Sequence, residues 1–248
     1  MDTLSNDRVD KAKESLPMNT VKHIFSKQQR PTMTQIAADN IRMAIERGHL
    51  KLGSRIIESQ LSKELGMSRF PIREALCYLE KEGLVQTVPF KGVSVVQITP
   101  KDIQDLMVLR CSLEELAIRL AIQRLTPDKI GRLRRIMKTM ENALDENSKE
   151  DILDADLSFH QSICEFADNS RLLNAWLPLA SQIRVYLHLE YHLFQTAKEF
   201  VATHEPLLSV IESRDEKKAL EAIRDHLIGP TNKLFSRNLT EELQQELD

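Results

Sequence analysis

Apolar residues first recur at helical spacing at Ile36, Ala37, Ile41, Ala44 and Ile45, predicting a helix that starts near Thr34 and stops at Gly48. Leu61 and Leu65 mark a short second helix over Glu58 to Leu65. Gly66 then supplies a tight turn, and Ser68 is placed to cap a third helix running to about Glu82. Pro71 falls in its first turn, where a missing N–H does little harm. Ile72, Ala75, Leu76 and Leu79 form the inward stripe, leaving Arg69, Phe70 and Arg73 outward near the N-terminal end. After Gly83 the residues become β-branched over Leu84 to Val88 and Val93 to Ile98, with Pro89 to Gly92 as the tip of a hairpin. Three helices followed by a two-stranded ribbon predict a winged helix-turn-helix over residues 32–98.

From Thr99-Pro100 onward only the helical period remains. One stripe runs Ile103, Leu106, Leu113, Leu116, Ala117, Leu120, and a second Ile130, Leu133, Ile136, Met137, Met140, Leu144. Further helices are predicted over 150–168, 171–194, 197–213 and 215–236, with breaks near Pro127, Asn147, Asn169 and Arg214. Residues 99–236 thus read as an antiparallel all-α bundle. Residues 1–31 show no sustained period and read as a flexible arm, and 237–248 as a polar tail. The fold class is mainly α.

Composition narrows the classes. No apolar run approaches the ~20 residues of a membrane span, and no signal-peptide order opens the chain, so a cytoplasmic protein is expected. Cys77, Cys111 and Cys164 are odd in number and scattered, which argues against a disulfide framework or a thiolate zinc site. Charge is uneven: 15 Lys and Arg face 11 Asp and Glu up to Thr99, whereas 19 face 26 beyond it. A basic front on an acidic back suits a nucleic-acid-binding module joined to something else.

Two constellations carry chemistry. Arg69 and Arg73 lie four apart where a recognition helix would enter a major groove; the alternative is a solvated helix face. In the bundle, His160, His204 and His226 each interrupt an apolar stripe, and Asp156 precedes His160 by one turn. Each alone could be a hydrogen-bonded core residue. Together they would need four separate sets of polar partners, whereas one divalent cation satisfies all four; Zn foremost, with Ni, Mn and Fe also suiting three imidazoles and a carboxylate. His188 and His192 form a second i,i+4 pair without zincin spacing. Arg110 and Arg184 interrupt apolar helices; each either pairs with a structural acid such as Glu114 or clamps an organic acid beside the metal.

The run Leu61-Ser-Lys-Glu-Leu-Gly-Met-Ser-Arg-Phe-Pro-Ile-Arg-Glu-Ala-Leu76, with Glu82-Gly83-Leu84-Val85, resembles the GntR-family winged helix. Arg110-x-x-Leu-Glu114, Asp156-x-x-Phe-His160, His204 and His226 resemble the FCD ligand-binding domain of the FadR-type branch. The resemblance implies a homodimeric bacterial transcription factor, more often a repressor, that binds an inverted repeat. It assigns Ser68, Arg69, Phe70, Pro71, Arg73, Lys91 and Gly92 to DNA, Asp156, His160, His204 and His226 to the metal, and Arg110 to the effector pocket. Some members carry a basic DNA-contacting residue just before the leucine matching Leu61, where this chain has Ser59-Gln60. The metal-binding branch typically senses small carboxylates. Two other readings stay open: a regulator that answers to the metal itself, and a metal-dependent hydrolase, against which no separate general acid or nucleophile stands out.

Overall fold

The computed structural model describes residues 31–191 and 194–236. The expected arm (save Pro31), the polar tail, His23 and His192 therefore lie outside the described residues.

The N-terminal part follows the hydrophobic period closely. Helix α1 (Met33–Glu46) buries Ala37, Ala38, Ile41 and Ile45. It ends where Gly48 takes φ 72°, a left-handed conformation that costs a glycine little. Strand β1 (Arg55–Ile56) precedes α2 (Glu58–Glu64) and α3 (Arg69–Lys81). Strands β2 (Val85–Val88) and β3 (Gly92–Val95) form the hairpin, in register Val85 opposite Val95 and Val88 opposite Gly92.

Two expectations change here. The sheet has three strands in the order β1-β3-β2, because Arg55 and Ile56 pair with Ser94 and Val93. A two-residue strand is too short to show alternation, so sequence periodicity cannot reveal it. Ser68 does stand at the N-cap of α3 with extended backbone, yet its side chain makes no capping bond.

The bundle comprises α4 (Pro100–Ile122), α5 (Pro127–Asp145), α6 (Lys149–Phe166), α7 (Ser170–Trp176), α8 (Ala180–Glu190), α9 (Ala197–Ala202), α10 (His204–Ser213) and α11 (Glu216–Ser236). Polar caps start several of them: the side chains of Thr99, Thr126, Ser148, Asn169 and Thr196 each accept a backbone N–H of the first turn. The helix expected over 171–194 is broken by a 3₁₀ turn at Leu177–Leu179, which contains Pro178. That expected over 197–213 is also broken, at Thr203. Pro206 explains the second break: it has no N–H to offer Ala202, and its ring would crowd that carbonyl. The consequence is that His204 becomes the first residue of α10.

Helix α8 belongs to two cores. Ile183, Tyr186 and Leu187 pack in the bundle, whereas Val185 joins Ile41, Ile72, Leu79 and Val95 in the core of the winged helix. Gln182 on the same helix donates to the carbonyl of Glu82, the residue capping the end of α3 (2.8 Å). Arg184 meets three acids: Glu150 at 2.8 Å, Asp154, and Glu46 of α1 at 3.7 Å. Every guanidinium nitrogen of Arg184 is engaged at this junction, with acids outside the histidine cluster. An effector-holding role, expected for Arg184 from the sequence, would have to compete with these acids.

Replacing Arg184 with Met should lower stability by about 1–3 kcal/mol. That is less than the loss of a fully buried ion pair, because Glu150 and Asp154 keep water. Arg134→Met, at an exposed pair with Glu212, should change stability by no more than about 1 kcal/mol. Urea midpoints of the two variants make the comparison.

Candidate metal centre and DNA-facing surface

Four ligand-bearing side chains converge inside the bundle. Asp156 and His160 sit one turn apart on α6, His204 opens α10, and His226 lies on α11. One ligand atom from each lies within 4.8 Å of all the others, and three of the four residues are buried, His226 being half-buried. His204 Nε2 is 2.8 Å from Asp156 Oδ1, and the Nε2 atoms of His160 and His226 face each other at 3.2 Å. Phe159, fully buried, places its ring edge-on to both His160 (5.6 Å) and His204 (5.5 Å), closing one side with hydrocarbon.

Glu114 organises this cluster. Its Oε2 accepts from His160 Nδ1 at 2.6 Å, and its Oε1 accepts from Arg110 Nε at 2.8 Å and Trp176 Nε1 at 3.0 Å. A proton held on Nδ1 leaves the Nε2 lone pair of His160 directed at the cluster, the arrangement that outer-shell carboxylates impose on metal-binding imidazoles. Burial alone would raise the Glu114 pKa; His160 and Arg110 more than offset it and hold the carboxyl at about 2. Asp156 is likewise held at about 2, burial being outweighed by the hydrogen bond from His204 and by the charges of His160, His204 and Arg110. His226 is pushed well below its ordinary value by burial first, and then by the neighbouring imidazoles and Arg110. A neutral imidazole and an ionised carboxylate are the forms that bind a divalent cation.

Some polar atoms here are left without partners. Arg110 Nη2 and Asp156 Oδ2 are buried, unbonded and 4.0 Å apart, and His226 Nδ1 is also unbonded. Unmet buried groups of this kind cost about 1–3 kcal/mol each. They sit where a cation and an anion would complete them, so the donor set fits a metal ion. Of the two roles left open for Arg110, the structural pairing is present, since Nε is tied to Glu114, and Nη2 has no hydrogen-bond partner among the described residues.

Several neighbours of the cluster carry no signal in the sequence. Glu190 of α8 is buried and pushed up to about 8, chiefly by burial and then by the charge of Asp156. Tyr186 of α8 shares a hydrogen bond with Thr231 of α11 at 2.9 Å. A lone Glu or Tyr in a helix carries no spacing signal, so only the fold could bring these to the cluster. His188 lies instead near Glu150, at 3.4 Å, away from the four ligands.

The DNA-facing candidates lie at the other end of the chain. Ser68, Arg69, Phe70 and Arg73 are exposed at the start of α3, Pro71 is half-buried, and Lys91 and Gly92 are exposed at the hairpin tip. The Arg73 guanidinium donates to Glu58 at 2.7 Å, which fixes its direction across the start of α2. Arg69 has no such tether among the described residues. Two further residues join this surface: Phe90, fully exposed at the tip with φ 65°, and Arg55, which lies alongside Gly92.

Comparison with known proteins bears on both parts. Residues 33–95 match the gntR family of bacterial regulatory proteins, and residues 105–229 match the FCD domain. An HTH-type transcriptional regulator of Bacillus subtilis (strain 168) is 29% identical over 83% of this chain and 91% of its own. The "Probable D-xylose utilization operon transcriptional repressor" of Paenarthrobacter nicotinovorans is 28% identical over 80% of this chain and 87% of its own. Among solved structures, Escherichia coli McbR/YncC superposes with a TM-score of 0.69 at 20% identity, covering 84% of this chain and all of the other. These are families of transcriptional regulators, not of enzymes, and no described helix is long and apolar enough to cross a membrane. The chain is a GntR-family transcriptional regulator that carries an FCD domain.

Proposed function

We propose that this regulator is a cytoplasmic repressor that binds an inverted-repeat operator as a homodimer and answers to a small carboxylate held at a divalent metal in its bundle. Asp156, His160, His204 and His226 would hold the metal, with Zn foremost and Ni, Mn or Fe as alternatives. When bound, the metal supplies a positive centre for a carboxylate oxygen. Arg110 holds another oxygen of the same acid through Nη2, the buried donor that lacks a partner. That orphaned nitrogen is the observation that carries the effector reading. The repressor assignment draws on the name of the Paenarthrobacter relative.

Helix α8 supports a route between the sites. Tyr186 bonds Thr231 on the helix that carries His226, while Val185 and Gln182 pack against and bond to the winged helix. An acid that draws Arg110 and α11 together would bias α8, and through it the setting of α3. Two winged helices whose spacing departs from ~34–36 Å no longer match successive major grooves. Ser68, Arg69, Phe70, Pro71 and Arg73 would read or grip the major groove. Lys91 and Gly92, with Phe90 beside them, would meet the adjacent backbone and minor groove.

Four outcomes are expected. A saturating acid, at 100 times its dissociation constant, raises the stability of the metal-loaded protein by about 2.7 kcal/mol in a thermal melt. Arg110→Lys, which keeps the charge but not the fork, removes most of that rise. A panel of sugar acids and hydroxy acids that leaves the midpoint unchanged would overturn the effector, and chelation that then alters operator affinity would point to the metal as signal. Glu114→Gln lowers metal affinity about 10–100-fold, measured by competition with a chromogenic chelator. Arg69→Ala weakens operator binding by about 1–3 kcal/mol in a gel shift with an unchanged thermal midpoint, because its side chain is exposed.

A further inference from the structure

Four residues other than glycine hold a positive φ among the described residues: Phe90, Asn147, Asp168 and Arg214. Asn147, Asp168 and Arg214 close the C-terminal ends of α5, α6 and α10, where a left-handed residue commonly ends a helix. Phe90 sits instead at the tip of the hairpin. The Lys91 N–H donates to the Val88 carbonyl at 3.0 Å, which closes a turn over residues 88–91 with Pro89 second and Phe90 third. Proline fixes its own φ as negative, so a φ of 65° on the third residue makes this a type II turn. Glycine or asparagine ordinarily fills that third position, because a larger side chain crowds the backbone there.

Nothing among the described residues offsets that cost. Phe90 is 108% exposed, so its ring stands clear of its own hairpin with its hydrocarbon in water. An apolar group held in an unfavourable conformation, with no contact to gain from its own fold, is explained by a partner outside the chain. The surroundings say which partner. No Asp or Glu occurs between Leu84 and Lys101, and the exposed cations Lys91 and Arg55 flank the tip. Leu84, Val85 and Val95 share the core that holds Ile72 and Leu79 of α3, so the hairpin is fixed beside that helix. A polyanionic duplex lying along α3 is the occupant these features fit.

A minor groove is about 6 Å wide, too narrow for two strands set about 4.8 Å apart with their side chains. A single ring at the tip can enter it. We propose that Phe90 inserts between two base pairs from the minor groove, partly unstacking one step in each half-site and kinking the operator toward the major groove. The proposal rests on the DNA-binding reading above and deepens it. Lys91 and Arg55 hold phosphates on either side, Pro89 stiffens the turn, and Phe90 reads how easily a step opens rather than which bases it carries. Pyrimidine–purine steps, above all TA and CA/TG, open most readily and are the preferred ones.

The test uses full-length protein and a duplex that this protein selects from random sequence, end-labelled for energy transfer and carrying 2-aminopurine at one position at a time. Wild-type protein should shorten the end-to-end distance and brighten 2-aminopurine at one step per half-site. Phe90→Gly should abolish both signals and weaken binding about tenfold, as loss of an aromatic contact to a base does. Its thermal midpoint should rise, since glycine suits the turn. Phe90→Leu, still an apolar wedge, should keep the bend. Salt dependence separates insertion from charge: Lys91→Ala lowers the slope of log affinity against log salt by about 1, whereas Phe90→Gly leaves it unchanged. A bend and bright step that persist in Phe90→Gly, a midpoint that falls, or a wild-type complex with no bright step overturns the wedge, while Arg69→Ala still reports on the DNA-binding reading. Self-association lost in Phe90→Gly, with duplex binding unaltered, also overturns it and assigns the ring to a protein partner. A wild-type chain that selects no duplex overturns both readings.

Discussion

The carboxylate of Glu114 is the interaction on which the bundle depends. It is fully buried and has no water to stabilise its charge, so its three donors must do so: Arg110, His160 and Trp176 from three different helices. An ionised carboxylate with such partners is stable where an unpartnered one would be neutralised or expelled. In satisfying Glu114, the fold fixes the ring of His160, aims its second nitrogen at Asp156, His204 and His226, and pins Arg110 by one edge. The free edge of Arg110 and the free oxygen of Asp156 are what remain once those bonds are made. An unbonded cationic donor beside an unbonded anionic oxygen is the arrangement that the proposed metal and carboxylate would satisfy.

That site and the DNA-facing surface are far apart in the chain, and α8 lies between them in space. One helix that places Val185 in the winged-helix core, Gln182 on the end of α3 and Tyr186 on α11 cannot shift without altering contacts at both ends. Arg184 adds a charged anchor, holding Glu46 of α1 together with Glu150 and Asp154 of α6. Packed cores rearrange in discrete steps rather than deforming continuously, so under the proposed function α8 is the element through which a small change at the cluster would reach α3.

Long periodic segments were legible in the sequence because burial on one face repeats every 3.6 residues, as with Ile72, Ala75, Leu76 and Leu79 of α3, all of them buried. Breaks inside the later helices were less legible. Pro178 and Pro206 were visible, but a proline in the first turn of a helix and a proline that ends one look alike until the neighbouring hydrogen bonds are known. The three histidines and Asp156 stood out as polar residues on apolar stripes, a conflict that local sequence does show. Glu190, Tyr186 and Trp176 stood out in no such way, since each is acceptable in a helix on its own.

The sequence by itself determined the helical class, the winged module, the four candidate ligands and the family, since each is written in local spacing and residue type. Tertiary structure decided which partners each buried arginine meets. Arg110 and Arg184 look alike as cations inside apolar helices, yet Arg110 hydrogen-bonds one acid, lies 4.0 Å from a second and keeps an unbonded donor, while Arg184 meets an acid at each of its three nitrogens. The physical reason is that a buried charge is defined by all the partners around it, and those come from helices that are remote in sequence and adjacent only after folding.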